Sequence, residues 1–429
     1  MPVSEMIEAV PPTHELLVTG GDVRIRLENG KNKYGCKPYP DPEMAQFGSS
    51  TASTISVRAF QAADDLREKI INGAACDAEF ERIGHEFFTL CGISDIRGVT
   101  LHFCSSGTDA HQVASRLITP GNILVVSREE TGGGVPAALS GGKVHQVSVR
   151  NRDGAPRSSD DIDAQAIDMV ESFAKKRGKV LLVLVDVSKT GMVAPTPACA
   201  RRLKARFPDH VEVLVDASQF RIGRLTLRAY LEAGFWVAVT GSKFLTGPAF
   251  SGALLIPESS GRILPADQGG GNIGLLLRWE AALAELRAFA AVSEAAVENF
   301  LSHFADIVQK RLAEDARLEP LPVPRLIRLH PGWDTVQTIF PFRLKTQDGG
   351  FLCLEEAKRI HALLSEDMSR GSAHDIASFR CNLGQPVACS ALRLCSSSRL
   401  VVDSVENGNT VVQQAFLALD KAVWLMDHP

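Results

Sequence analysis

Short apolar runs closed by polar residues recur along residues 101–256. Residues 101–103, 123–126, 144–149 and 180–187 are such runs, and 213–215 and 236–239 follow. Runs this short, rich in Val and Leu, read as strands buried on both faces of a sheet. Between them the spacing turns helical. Ala110, Val113, Ala114 and Leu117 share one helical face, and residues 162–175 read as a further helix. Thr196-Pro197 supplies the cap residue and first-turn proline of another helix start. Upstream, residues 57–70 place Ala59, Ala62, Ala63 and Leu66 on one face, and 80–90 form a second helical stretch. Strand–helix alternation on this scale predicts a three-layer α/β domain with a mostly parallel sheet.

Beyond residue 256 the pattern lengthens. Residues 275–290 and 295–313 read as long helices. From near Pro320 the chain reads as a smaller α+β domain. It has strand-like 336–342, a helix over 354–364, strand-like 391–402 and an amphipathic helix over 410–426. The expected division is an amino-terminal arm (1–56), a large domain (57–300) and a small carboxy-terminal domain (301–429). The arm is irregular and rich in turn formers. Its stretch around Tyr34, Tyr39 and residues 49–54 reads equally as a wall of a substrate pocket or as a dimer contact.

Composition narrows the function classes. The chain has 429 residues, 45% hydrophobic and 22% charged, with a net charge of −4. No basic stripe tracks a phosphate backbone, so nucleic acid is not an expected partner. The amino terminus reads as no secretory signal, and no run of about 18 apolar residues predicts a membrane span. Nine cysteines lie scattered without a CxxC pair. That pattern predicts reduced thiols and a cytoplasmic location.

Two polar residues close the apolar runs at 213–215 and 236–239. Asp216 ends the first, and Lys243 follows the second through Thr240-Gly241-Ser242. Strand ends of a parallel sheet open into a crevice, so an acid and an amine are expected in one cleft. Alone they read as well as a structural ion pair. Upstream, Ser105-Ser106-Gly107-Thr108 joins a strand to a helix. Such a junction offers free N–H groups and a positive helix end to an anion, or is simply a capped helix start.

In this order the segments SSGTDAHQVA, DVSKTG, VDASQ, TGSKFLTGP, GGGNIG and ALRLC resemble the fold-type-I enzymes of pyridoxal 5′-phosphate (PLP). Within them they resemble the class V aminotransferase and cysteine desulfurase group, over roughly residues 60 to 400. The resemblance implies an aspartate aminotransferase-like large domain, PLP as cofactor, a small amino acid as substrate, and a homodimer. It implies that Asp216 faces the pyridinium nitrogen, that Gln219 reaches the ring's phenolate oxygen, and that Lys243 forms the Schiff base and then shuttles protons. Gly107, Thr108, Thr240 and Ser242 would hold the phosphate, with Gly270 and Gly271 lent by a second subunit, and Ser188 would sit near the ring. Arg393 would grip the substrate carboxylate.

Departures limit the reaction. Cysteine desulfurases carry His before the lysine, where this chain has Ser242, and an imidazole on the ring, where it has a position near Thr131. His111 lies on the phosphate helix and reads as packed or solvated. Cys381 stands where a desulfurase nucleophile is expected, but reads more readily as a core residue. Transamination is the first expectation. Carbon–sulfur or β-lyase chemistry, desulfurase-like activity included, is the second, and a catalytically silent scaffold or sensor the third.

Overall fold

The computed structural model describes residues 10–132, 134–176, 178–258, 271–369, 375–387 and 389–428. Seven of the eight strands of the main sheet form its path: β1 (Val99–Cys104), β2 (Asn122–Val126), β3 (Lys143–Val147), β4 (Val180–Asp186), β5 (Val211–Ala217), β6 (Trp236–Thr240) and β7 (Gly252–Pro257), with the short Val193–Ala194 pairing antiparallel to β4. Their hydrogen-bonded order is β1-β7-β6-β5-β4-β2-β3. Strands β2 to β6 pair in parallel. β7 is antiparallel to both its neighbours. Every residue of β4 is buried, as the unbroken run VLLVLVD requires of a strand covered on both faces. The structure thus has the α/β class and mostly parallel sheet that the apolar runs predict.

The register of β7 sets the site. Gly252 pairs with Cys104 of β1 and with Thr240 of β6. A side chain there has no room, because a Cβ would lie 2.4 Å from the Ser106 carbonyl carbon. The end of β1 and the end of β6 are therefore held level. On the other side of β6, Asp216 of β5 pairs with Ala238.

Helix Gly107–Ile118 begins two residues before the expected start at 109, because Ser106 caps it and accepts from the Asp109 N–H at 3.2 Å. Helices Val57–Ile71, Ser159–Lys175, Pro197–Arg206, Ile273–Ala290 and Glu294–Glu314 lie where the helical spacing places them.

A smaller antiparallel sheet joins Leu318–Pro320, Ile339–Leu344 and Leu392–Cys395. Here one expectation fails. Residues 391–402 are not one strand, since only Leu392–Cys395 is extended. Ser397 then caps the helix Ser398–Asp427, accepting from Leu400 N–H at 3.3 Å. Leu400 and Val401 belong to that helix and are buried, so their apolar character mimicked a strand. The arm is also more ordered than its turn formers suggest. Ala45–Phe47 pairs in parallel with Cys381–Leu383.

Arg221 ties these parts together. It is fully buried, donates to Ser49 Oγ and to the Ser396 carbonyl at 2.8 Å each, and stacks over Phe244. Among the described residues no helix is long and apolar enough to cross a membrane.

Gly252→Ala is expected to destabilise the chain by roughly 1–3 kcal/mol through overpacking. Gly408→Ala, where nothing lies within 4 Å of the added carbon, should be neutral or stabilising. Urea unfolding of the two variants checks the contrast.

Candidate active site

A cavity of about 550 Å³ opens at the carboxyl ends of β4, β5 and β6. Gly107, Thr108, Asp216, Gln219, Lys243 and Arg393 all line it, and so do Thr240 and Ser242. Residues spread over nearly 290 positions (393 − 107 = 286) meet there: most sit at or just past carboxyl ends of the main-sheet strands or at a helix start, and Arg393 comes from the strand Leu392–Cys395 of the smaller sheet.

Asp216 is buried. Burial alone would raise its pKa, but His111 beside it and hydrogen bonds from Ser218 hold the carboxyl well below the usual range. The His111 Nε2 lies 3.4 Å from Asp216 Oδ2. Ser218 donates to Oδ1 from its backbone N–H at 3.1 Å and from its hydroxyl at 2.5 Å. His111 itself is fully buried, with Nδ1 2.7 Å from the Gly107 carbonyl. Burial opposes charge on its imidazole, yet Asp216 and the Gly107 carbonyl raise its pKa overall. His111 is thus packed and paired rather than solvated. Sequence spacing did place it on the phosphate helix, one turn past Gly107, but not facing Asp216.

Lys243 follows β6 and lines the cavity, partly accessible. Burial lowers its pKa to about 8, with Arg393, Lys189 and Arg221 acting in the same sense and Asp216 against it. Thr240 Oγ1 donates to the Ser218 carbonyl at 2.7 Å, and Ser242 Oγ lies 3.3 Å from it. Gly107 stands where a Cβ would come within 2.9 Å of Ser218 Oγ. The helix end therefore approaches β5 and β6 closely, and Gly107 and Thr108, whose N–H groups open the helix, line the cavity.

Gln219 donates from Nε2 to the Ser50 carbonyl at 3.0 Å and leaves its second amide hydrogen for another acceptor. Arg393 lies on Leu392–Cys395, buried, and donates to Thr51 Oγ1 (2.9 Å) and the Gln385 carbonyl (2.7 Å). No carboxylate pairs with it among the described residues, and burial lowers its pKa. The arm supplies Ser50, Thr51 and Tyr34 to the cavity, whereas Tyr39 is exposed and does not line it.

One expected residue falls elsewhere. Ser188 is buried but turned away, donating to Glu130 Oε2 at 2.7 Å, because Glu130 collects the donors of this loop. Its neighbours Val187 and Lys189 line the cavity instead. Gly270 lies outside the described residues. Gly271 is exposed at φ +73, with nothing within 4 Å of a notional Cβ, and does not line the cavity. Cys381 is buried, and burial pushes its thiol up to about 12. Thr131 lines the cavity with a buried hydroxyl that has no hydrogen-bond partner among the described residues.

Glu130 and Lys189 were missed. Glu130 lines the cavity and binds Arg150 Nε at 3.0 Å and Thr190 Oγ1 at 2.7 Å. An acid entering a glycine-rich loop was the available signal.

The fold is that of the fold-type-I PLP-dependent enzymes, and the solved structures it resembles include NifS-like proteins and cysteine desulfurases at low sequence identity. A NifS-like protein from Rickettsia africae matches at TM-score 0.58 and 15% identity, over 88% of this chain and 99% of that one. The cysteine desulfurase CsdA from Escherichia coli matches at TM-score 0.57 and 16% identity, over 89% and 94%. A C-DES mutant with glycine covalently linked to its PLP cofactor matches at TM-score 0.58 and 14% identity, over 88% and 99%. No protein-family model and no curated protein sequence matches the chain.

His111→Asn should cost roughly 3–5 kcal/mol, because it leaves Asp216 buried without its charged partner. The raised His111 pKa makes this contribution full at low pH and lost as pH rises through the folded value. The stability gap between parent and variant is therefore expected to be wider near pH 6 than near pH 9 in denaturant titrations.

Proposed function

We propose that the chain is a PLP-dependent enzyme acting on a small amino acid, with carbon–sulfur or other β-lyase chemistry ahead of transamination. The observation that carries the cofactor is the meeting, in one cavity, of an amine with pKa about 8, a carboxylate held ionised, and a helix amino end. When bound, PLP supplies an electron sink for a carbanion at the amino acid's α-carbon.

The chain's own groups divide that work. Asp216 offers the pyridinium nitrogen a fixed negative charge, and His111 keeps Asp216 ionised and oriented. The free N–H groups of Gly107 and Thr108, with the Thr240 and Ser242 hydroxyls, suit a phosphate without adding a further buried cation. Thr131, whose hydroxyl has no partner among the described residues, lines the same cavity. Gln219 offers its spare amide hydrogen to the phenolate oxygen. Lys243 is partly unprotonated at neutral pH, so it would hold the cofactor's aldehyde end and could move the α-proton. Arg393 presents a guanidinium to the substrate carboxylate. A homodimer would let Gly270 and Gly271 reach a neighbour's phosphate, and the open surface around Gly271 leaves room for that.

The order of reactions rests on two supports. Most of the named solved structures of similar fold are NifS-like or desulfurase proteins. Cys381, buried with its thiol held protonated, is unsuited to accept sulfur, so a sulfur leaving group departs into solution.

Added PLP should give the protein a near-visible absorbance band that Lys243→Ala lacks. Its rate of appearance should rise with pH about a midpoint near 8, below the 10.5 of an ordinary lysine, because only the free amine attacks. With a panel of amino acids, keto acid released together with ammonia or sulfide supports the lyase. Keto acid without either supports transamination. Sulfide release is expected to survive Cys381→Ala.

A further inference from the structure

The cavity holds more positive charge than the cofactor and one carboxylate require. Its charged lining is Arg24, Lys33, Lys189, Lys243 and Arg393, against Glu130 and Asp216. Both acids are already engaged. Asp216 faces His111, and Glu130 binds Arg150 at 3.0 Å. Arg24 is paired with Asp22 at 2.5 Å.

Lys189 is left over. Its backbone is fixed from two sides, donating to the Glu130 carbonyl at 2.8 Å and accepting from Arg393 Nη1 at 3.2 Å. Its ammonium donates to the Arg128 carbonyl at 3.2 Å and makes no ion pair among the described residues. Burial first, then the neighbouring Arg393, lowers its pKa to about 8. A half-buried ammonium beside a guanidinium is unfavourable until an anion reaches it. The α-carboxylate of an amino acid satisfies Arg393 and leaves Lys189 unmatched. Lys33, at the exposed rim of the same cavity, also forms no ion pair among the described residues.

We propose that the substrate is an amino acid whose side chain ends in a second carboxylate, bound by Lys189 with Lys33 at the rim. This rests on the amino-acid reading of the site and names its substrate class. Lys189 then discriminates between substrates, while Arg393 holds the group common to all amino acids.

The test compares glutarate with valerate, which matches it in length and lacks the second carboxylate. Calorimetry reads both ligands on the chain with and without PLP, and absorbance reads cofactor uptake separately. Glutarate should bind at least about tenfold more tightly than valerate, as one charge-assisted contact implies. Lys189→Met should remove that preference and leave valerate affinity and PLP uptake unchanged, and Lys189→Arg should retain it. Equal affinity for the two ligands in the parent overturns the proposal. So does loss of PLP uptake in Lys189→Met, which would give Lys189 to the cofactor. A parent chain that takes up no PLP contradicts the proposed function instead, and the glutarate preference of the unloaded chain still reads Lys189.

Discussion

Gly252 pairs with Cys104 on one side and with Thr240 on the other, and the whole site depends on that double register. It brings the turn after β1 level with the turn after β6. The amino end of helix Gly107–Ile118 and the Thr240–Lys243 segment then face the same crevice. The position tolerates only glycine because the Ser106 backbone lies against it. The parallel pairing of β5 with β6 adds Asp216 to the same edge. The chemistry is thus assembled by backbone hydrogen bonds before any side chain contributes.

Electrostatics then separates the groups that backbone geometry has gathered. Asp216 stays ionised in a buried place because His111 and Ser218 surround it. Lys243 is pushed the other way, toward the free amine, by burial and by neighbouring cations. One acid and one amine, with pKa values moved in opposite functional senses, are what a proton-moving site needs. Arg221, buried with no acid paired to it among the described residues, links the arm, β5 and the smaller sheet through neutral acceptors. It also lies beside Gln219, 3.4 Å from its carbonyl oxygen. The joint between the sheets therefore touches the site through Gln219.

Much of this was legible in the chain. Strands buried on both faces announce themselves, as VLLVLVD does, and a Ser or Thr before helical spacing marks a start, as Thr196 does. Asp216 and Lys243 were legible because polar residues that close such runs have few places to go. What failed depended on direction rather than position. His111 sits on a helix face whose partner, Asp216, is 105 residues away (216 − 111), and no local pattern reports that pairing. Ser188 and Lys189 are adjacent, so which one faced the cavity turned on Glu130, a residue from another loop. Residues 391–402 misled because an apolar run around a serine cap serves a strand end and a helix start equally.

Two lysines with pKa values near 8 line one cavity, and the account gives them different tasks. The most direct test is to load the protein with PLP, reduce with borohydride, and map the modified lysine by peptide mass spectrometry. The account predicts that the adduct sits on Lys243 and that Lys189 stays unmodified. An adduct on Lys189, or none on either residue, would contradict it.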